Sequence, residues 1–391
     1  MSQPISFEEL IHPLTAEHFF EEYWERRPVL IEGAPDRFAH LFSSKDMGRL
    51  LHYLRPPTPE GLLVVKGGSP AQTRWTNVDG SPQLKKVREA WRNGHTILIN
   101  RLENLWEPVA RLKAALQERL HHPIDTDLYL TPPDSQGFAF HFDVMDVFVI
   151  QVEGSKLWQV REPASYLPLP GEHYDIPQDK LPPLVFEAEL RAGSVLYMPR
   201  GYVHAGRTTG QTSLHVSVGV NVITWVDFVA AAVSTARADK QFRKALPPAF
   251  LHAGADLQEP LQNLLRQLPG LLRLDDALGK LAEQLIVSKQ PPPDEDFFTA
   301  EVELTPDSRL RRRAGVICRT AHGRGYAVLQ YSGGRITGPE KIAPALDFVE
   351  RNRAFAVRAL PGDLNDREKV VLARRLVNEG LLERDASDEQ P

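Results

Sequence analysis

The sequence is most informative at first through what it withholds. It has a single cysteine, Cys318, in 391 residues. That excludes an internal disulfide and any zinc site built on several thiolates, and it suits a reducing compartment. No apolar run is long enough to span a bilayer; stretches such as "WVDFVAAAV" are short and interrupted. The opening "MSQPISFEELIHPL" lacks the basic start and apolar stretch of a signal peptide. The expectation is therefore a cytoplasmic protein without a membrane partner. Neither sign of charge dominates, with 46 Lys and Arg against 51 Asp and Glu. The net charge of −5 gives no general attraction to nucleic acid. No internal repeat of fixed period is present.

What is present suggests four successive stretches. Residues 1–125 mix helices and short strands. "TAEHFFEEYWERRP" reads as a helix capped by Thr15, and "SSKDMGRLLHYL" as one with a serine cap. "VLI" at 29–31, "GLLVVKGG" and "HTILINRL" read as strands, and "WEPVARLKAALQERL" as an amphipathic helix. From about 126 to 223 short strands follow one another, separated by Gly, Pro and polar turns: "DLYLT", "FAFHFD", "DVFVIQVEG", "SKLWQV", "PLVFEAEL", "GSVLYMP" and "SLHVSVGVN". This pattern predicts an antiparallel sandwich or barrel. "VFVIQVEGSKLWQV" reads as a hairpin turning at Glu153-Gly154. Residues 225–290 return to Leu-rich helices, which bury either within the chain or against a second subunit. "QPPPDED" reads as a linker. A small α+β part follows, ending in "DREKVVLARRLVNEGLLER", a helix stopped by Gly380. Its helix, turn, helix and strand order is that of a winged helix. Its last helix offers Arg367, Lys369, Arg374 and Arg375, but acidic residues interrupt them, which disfavours nucleic-acid binding.

The chemistry centres on His141 and Asp143. Alternate residues of a strand share a face, so both can point into a barrel. Two histidines and one carboxylate leave open positions on a non-haem iron(II) ion. The pair alone is a weak signal. Thirteen histidines among so many acidic residues yield a pair or two of His-X-Asp/Glu by chance, and the sequence holds two. The second, His173-Tyr174-Asp175, sits in the Pro-rich loop "LPLPGEHYDIPQ", where no strand holds it; it reads as chance or loop chemistry. His204, after the strand "GSVLYMP" and a Pro-Arg-Gly turn, is either a third ligand at a barrel rim or a surface histidine. His215 and Ser217 alternate with Leu214, Val216 and Val218. If the apolar set packs outward, they line the lumen; otherwise His215 is a hydrogen-bonded core residue. Lys156 in an apolar strand is costly to bury without an anion. A dicarboxylate would supply one, while a solvated face is the plain alternative.

The segments "YLTPPDSQGFAFHFDVMDVFVIQVEGSKLW" and "GSVLYMPRGYVHAG" resemble the JmjC-type ribosomal oxygenases, members of the cupin superfamily, and "EEYWERRPVLI" is similar to that family's first segment. The resemblance covers the whole chain. It implies an α+β fold: a double-stranded β-helix (jelly roll) with its N-terminal elaboration over 1–223, a helical dimerisation domain over 224–292 and a winged-helix domain over 293–391. It implies iron(II) held by His141, Asp143 and His204, with 2-oxoglutarate as co-substrate and Lys156 on its distal carboxylate. Tyr129, Thr131 and Ser217 match positions beside the co-substrate. The implied reaction is hydroxylation of a His or Arg side chain in a ribosomal protein, by a homodimer, with succinate and carbon dioxide as co-products. Lysine at 156, where the arginyl hydroxylases have arginine, leans toward the histidyl branch. Asp127 stands where histidyl hydroxylases carry asparagine, so no role is carried over to it. Two other readings stand: a hydroxylase of another peptide or natural-product precursor, and a winged-helix regulator with a non-catalytic cupin domain. The intact ligand set and Lys156 weigh against the last.

Overall fold

The computed structural model describes residues 5–55, 61–70, 75–252, 257–287 and 303–385. The linker "QPPPDED" lies outside them. The chain forms two units, Met1–Val222 and Ile223–Pro391.

The first unit opens with α1 (Phe7–Ile11) and α2 (Ala16–Glu22), and Thr15 caps the second by accepting from His18 N. Then come β1 (Val29–Ile31), α3 (Ser44–Tyr53) capped by Ser43, β2 (Leu62–Lys66), β3 (Ser69–Pro70), α4 (Leu84–Arg92), β4 (Thr96–Ile99) and α5 (Glu107–Leu120). The remaining strands are β5 (Ile124–Thr131), β6 (Asp146–Pro163), β7 (Leu184–Arg191), β8 (Val195–Met198), β9 (Tyr202–Arg207) and β10 (Ser213–Val220). They pair in the order β1-β8-β6-β10-β5-β4-β2-β3, and β7 and β9 both pair with β6. Phe7, Phe19, Leu50, Leu112 and Leu116 from the helices bury against Phe148, Ile150, Leu214, Val216 and Val218. One face of the sheet is thus sealed, and the other encloses a cavity.

Two strand expectations need correction. β6 is not a hairpin. It is one strand of 18 residues. Its first half pairs with β8 and β10, its second with β7 and β9. Lys156 therefore lies on the same strand as Val147, not on a partner strand. Gly154 has φ +65°, and a Cβ there would stand 1.8 Å from the Thr212 carbonyl oxygen. The local sequence of a turn and of a bulge is the same; the partners on either side decide between them. The bulge also reverses the side-chain alternation. Before it, Val147 and Val149 face the cavity; after it, Lys156 and Trp158 do. We predict that Gly154→Ala lowers stability by at least about 2 kcal/mol. An unchanged urea midpoint would contradict this role.

The second correction concerns "FAFHFD". It forms no strand; His141 makes only an isolated bridge with His204. Backbone N–H to carbonyl bonds of 3.2 Å and 2.8 Å link the two histidines. Gln178 takes the place of a second strand partner. Its amide bonds to Phe140 N and O at 3.4 and 3.2 Å.

The second unit begins with α6 (Trp225–Val233), α7 (Gln258–Gln267) and α8 (Leu274–Ala282), the last running into a π-helical segment Glu283–Val287. Leu285 and Ile286 bury with Ile317. Then follow β11 (Arg309–Arg312), β12 (Cys318–Gly323), β13 (Tyr326–Tyr331), β14 (Gly334–Pro339), α9 (Ala343–Arg351), β15 (Ala354–Ala356), α10 (Asp366–Asn378) and β16 (Leu382–Arg384). They form two small sheets, β15-β11-β16 and β12-β13-β14. Gly380, at φ +75°, ends the last helix as its sequence suggests.

Candidate metal centre

The cavity of the first unit has a volume of about 1160 Å³. On its wall His141, Asp143 and His204 each offer one ligand atom, all within 4.8 Å of one another. His204 Nε2 is 3.6 Å from Asp143 Oδ2, and the two imidazole rings are 4.4 Å apart. His141 Nδ1 meets the Ala139 carbonyl at 2.9 Å, and His204 Nδ1 the Tyr202 carbonyl at 3.0 Å. A carbonyl only accepts, so each Nδ1 carries the proton and each Nε2 lone pair stays free. Burial, then the neighbouring His141, pushes the His204 pKa down, which keeps its imidazole neutral. Two histidines and a carboxylate converging on one point match the facial arrangement that suits non-haem iron(II).

Lys156 lies deeper in the cavity. It is 4% exposed, and its recorded hydrogen bond is to Thr131 Oγ1, at 3.3 Å. Thr131 Oγ1 is in turn 3.0 Å from Thr96 Oγ1. Among the described residues no carboxylate reaches Lys156. Burial alone lowers its pKa to about 7. Gly206 leaves the room it occupies: a Cβ there would stand 3.1 Å from Lys156 Cε. A buried ammonium without a counter-ion is the arrangement expected of a site that receives an anion.

The other expected residues fall around this core. Tyr129, half-buried, stacks on the buried His215 with ring centres 4.7 Å apart. Thr131 is fully buried beneath the lysine. Ser217 lines the cavity, as does His215, while Leu214, Val216 and Val218 bury on the opposite face. His215 Nδ1 is buried with no hydrogen-bond partner among the described residues, so it is a lumen residue rather than a satisfied core histidine. Asp127 also faces the cavity. Its carboxyl is pushed up to about 6, mainly by burial, although it accepts from Arg101 N at 3.0 Å.

Three residues on this wall were not anticipated. Trp158 lines the cavity with its ring 5.5 Å from Lys156 Nζ, and its Nε1 is buried without a partner among the described residues. Its place two residues after Lys156, on the same strand face, was the available signal. His173 and Asp175 also line the cavity, so the second His-X-Asp pair is part of the mouth rather than a chance neighbour. Phe142, packed against His173 and Tyr174, holds that loop in place. Nothing in the loop's own sequence marks it as cavity wall.

Antiparallel strands enclosing this ligand triad fit a JmjC- or cupin-type domain. Residues 98–228 match the JmjC domain family. The chain thus carries a JmjC domain, and the relatives it resembles are named as ribosomal oxygenases and histidyl-hydroxylases. It is 30% identical over 308 residues to the bifunctional lysine-specific demethylase and histidyl-hydroxylase NO66 of Branchiostoma floridae, covering 73% of this chain and 47% of that one. Ribosomal oxygenase 1 of Danio rerio is 29% identical over 319 residues, covering 75% and 57%. The chain thus spans about half the length of these curated relatives. Its fold is similar to that of Escherichia coli ribosomal oxygenase YcfD solved with cobalt and 2-oxoglutarate, at TM-score 0.57 and 19% identity, over 96% of this chain and 99% of that one.

Proposed function

We propose that this chain is an iron(II)- and 2-oxoglutarate-dependent oxygenase that hydroxylates a side chain of a ribosomal protein. The observation that carries the reading is the unpaired, buried Lys156 in the same cavity as the His141, Asp143 and His204 cluster. In this reading the three residues hold the metal, and Lys156 holds the distal carboxylate of 2-oxoglutarate. Tyr129, Thr131 and Ser217 complete the co-substrate wall. The bound metal supplies the activation of dioxygen. The chain's own residues orient and protect. The Nδ1 bonds aim both imidazoles, and Val147, Val149 and Trp158 keep the lumen apolar.

Two observations support a basic side chain as target. The relatives' names include histidyl-hydroxylase and ribosomal oxygenase. The half-buried Asp127 carboxyl faces the cavity, and a cationic or hydrogen-bond-donating group complements it. The choice between His and Arg, and between a ribosomal protein and another peptide, is an experimental one. Iron-dependent succinate formation from 2-oxoglutarate, stimulated by an extract of ribosomal proteins, tests the reading; no stimulation contradicts the substrate assignment.

We further propose that residues 224–292 form a dimerisation region and residues 293–391 a winged-helix domain. On α6 Trp225, Val226 and Val229 are 80%, 62% and 55% exposed, an apolar face that solvent does not favour. A monomer mass by light scattering at micromolar concentration would contradict the homodimer. The α9, α10 and β11, β15, β16 arrangement supports the winged-helix reading. Lys369 donates to the Arg358 carbonyl and Arg375 faces Glu379, which weighs against α10 as a nucleic-acid reader. Retardation of duplex DNA by the intact protein would reinstate the regulator. Among the described residues no helix is long and apolar enough to cross a membrane. We propose a cytoplasmic location, which a ribosomal substrate would favour and cell fractionation tests.

A further inference from the structure

Near the metal ligands in the chain, but not lining the cavity, Asp146 and Arg200 form a buried ionic network that the chemistry does not use. Asp146 is fully buried and is the first residue of β6, three positions after Asp143. Arg200 is 5% exposed and sits in the turn four positions before His204. Asp146 Oδ1 accepts from Arg200 N at 3.2 Å and from Arg200 Nη1 at 3.1 Å. Asp146 Oδ2 accepts from the Tyr197 hydroxyl at 2.6 Å. That hydroxyl accepts in turn from Glu25 N at 3.0 Å, and Glu25 Oε1 pairs with Arg200 Nη1 at 2.5 Å. Beside the network, Gly201 N donates to the Asp143 carbonyl at 2.9 Å.

We infer that Asp146 and Arg200 are positioning residues for the metal centre, fixing the segment that carries Asp143 against the turn that delivers His204. Besides this network, the two ligand segments are joined by the Gly201 N to Asp143 carbonyl bond and by the non-directional packing of Phe142 with Val203. Residues 138–145 form no strand, and their backbone meets β9 only through the His141–His204 bridge. Neither Asp146 nor Arg200 lines the cavity, so neither touches substrate or co-substrate there. A buried ion pair is a poor source of net stability, since apolar residues of similar volume pack as well. Its worth lies in directed bonds, five of which here converge on two carboxylates and one hydroxyl. Metal centres depend on such outer partners for ligand aim, and losing one costs about 10–100-fold in metal affinity.

The inference rests on the proposed metal site, and the experiment separates the two. Cobalt(II) is titrated into the full chain by calorimetry, and the visible ligand-field spectrum of the complex is recorded. Failure of the unmodified protein to bind cobalt at the His141, Asp143 and His204 set contradicts the metal-site reading itself. Given binding, Asp146→Asn weakens cobalt affinity by about tenfold and alters the spectrum. Tyr197→Phe keeps the ring packed against Phe19, Trp24 and Phe148 and removes only the hydroxyl, so it carries the test if Asp146→Asn does not fold. It weakens binding several-fold. A merely structural role would lower the melting temperature and leave the affinity and spectrum of the folded protein unchanged. Either folded variant with wild-type affinity and spectrum overturns the inference.

Discussion

His141→Ala abolishes 2-oxoglutarate turnover, with a loss greater than about 100-fold, and Asp143→Ala and His204→Ala do the same. The size follows from position. Disturbing an outer partner of a metal ligand costs about 10–100-fold, and these residues offer the ligand atoms themselves. A hundredfold loss corresponds to about 2.7 kcal/mol of transition-state stabilisation. The fold should survive each change. The ligand-bearing segment contributes backbone bonds between residues 141 and 204 that do not depend on the side chains. Cobalt titration and circular dichroism check the two statements separately. A variant that still binds the metal and turns over 2-oxoglutarate at the normal rate would remove its residue from the proposed ligand set.

The second large effect belongs to Lys156. Lys156→Met keeps the length and apolar stem of the side chain and removes the charge. Leaving a bound carboxylate without its buried partner costs about 3–5 kcal/mol, so the requirement for 2-oxoglutarate rises by roughly 10² to several times 10³-fold. Metal affinity stays unchanged. Collapse of metal binding with normal co-substrate affinity would show that the role of Lys156 has been misread. The lysine also gives the site a pH dependence. Its pKa, about 7 in the empty cavity because of burial, rises when a carboxylate arrives. Below pH 7 the lysine is already charged and binding takes up no proton. Above pH 7 binding takes up about one, so co-substrate affinity falls as pH rises. Calorimetry at pH 8 in buffers of different ionisation enthalpy reads that proton. The unliganded protein shows the linked effect on stability. Its lysine pKa lies below the unfolded value of 10.5, so between pH 7 and 10.5 the folded chain binds fewer protons. Raising pH through that window relieves the burial penalty, and Lys156→Met abolishes this dependence.

Much of this architecture was legible because it is locally encoded. Thr15 and Ser43 cap their helices through their own side chains. Leu214, Val216 and Val218 alternate with His215 and Ser217, and that period of two places one set in the core and the other in the lumen. His204 and Lys156 were legible as candidates because a histidine after a barrel strand and a lysine inside an apolar one each need a reason. What was not legible depends on partners distant in the chain. Glu153-Gly154 has the chemistry of a hairpin turn; the strands β7 and β9, supplied later, make it a bulge in a continuous strand. "FAFHFD" has a strand's alternation but is held by one bridge, the Gln178 amide and the packing of Phe142 with Ile176 and Val203. His173 and Asp175 join the cavity because Phe142 anchors their loop, a contact that spacing in the sequence does not reveal.

The most direct test of the central claim is intact-mass analysis of ribosomal proteins isolated from cells lacking this protein. They are incubated with the purified chain, iron(II) and 2-oxoglutarate. One of them should gain a single oxygen atom on a His or Arg side chain, matched by an equal amount of succinate, and His141→Ala should yield neither. Ribosomal proteins of unchanged mass alongside a metal-loaded, co-substrate-binding enzyme would contradict the account.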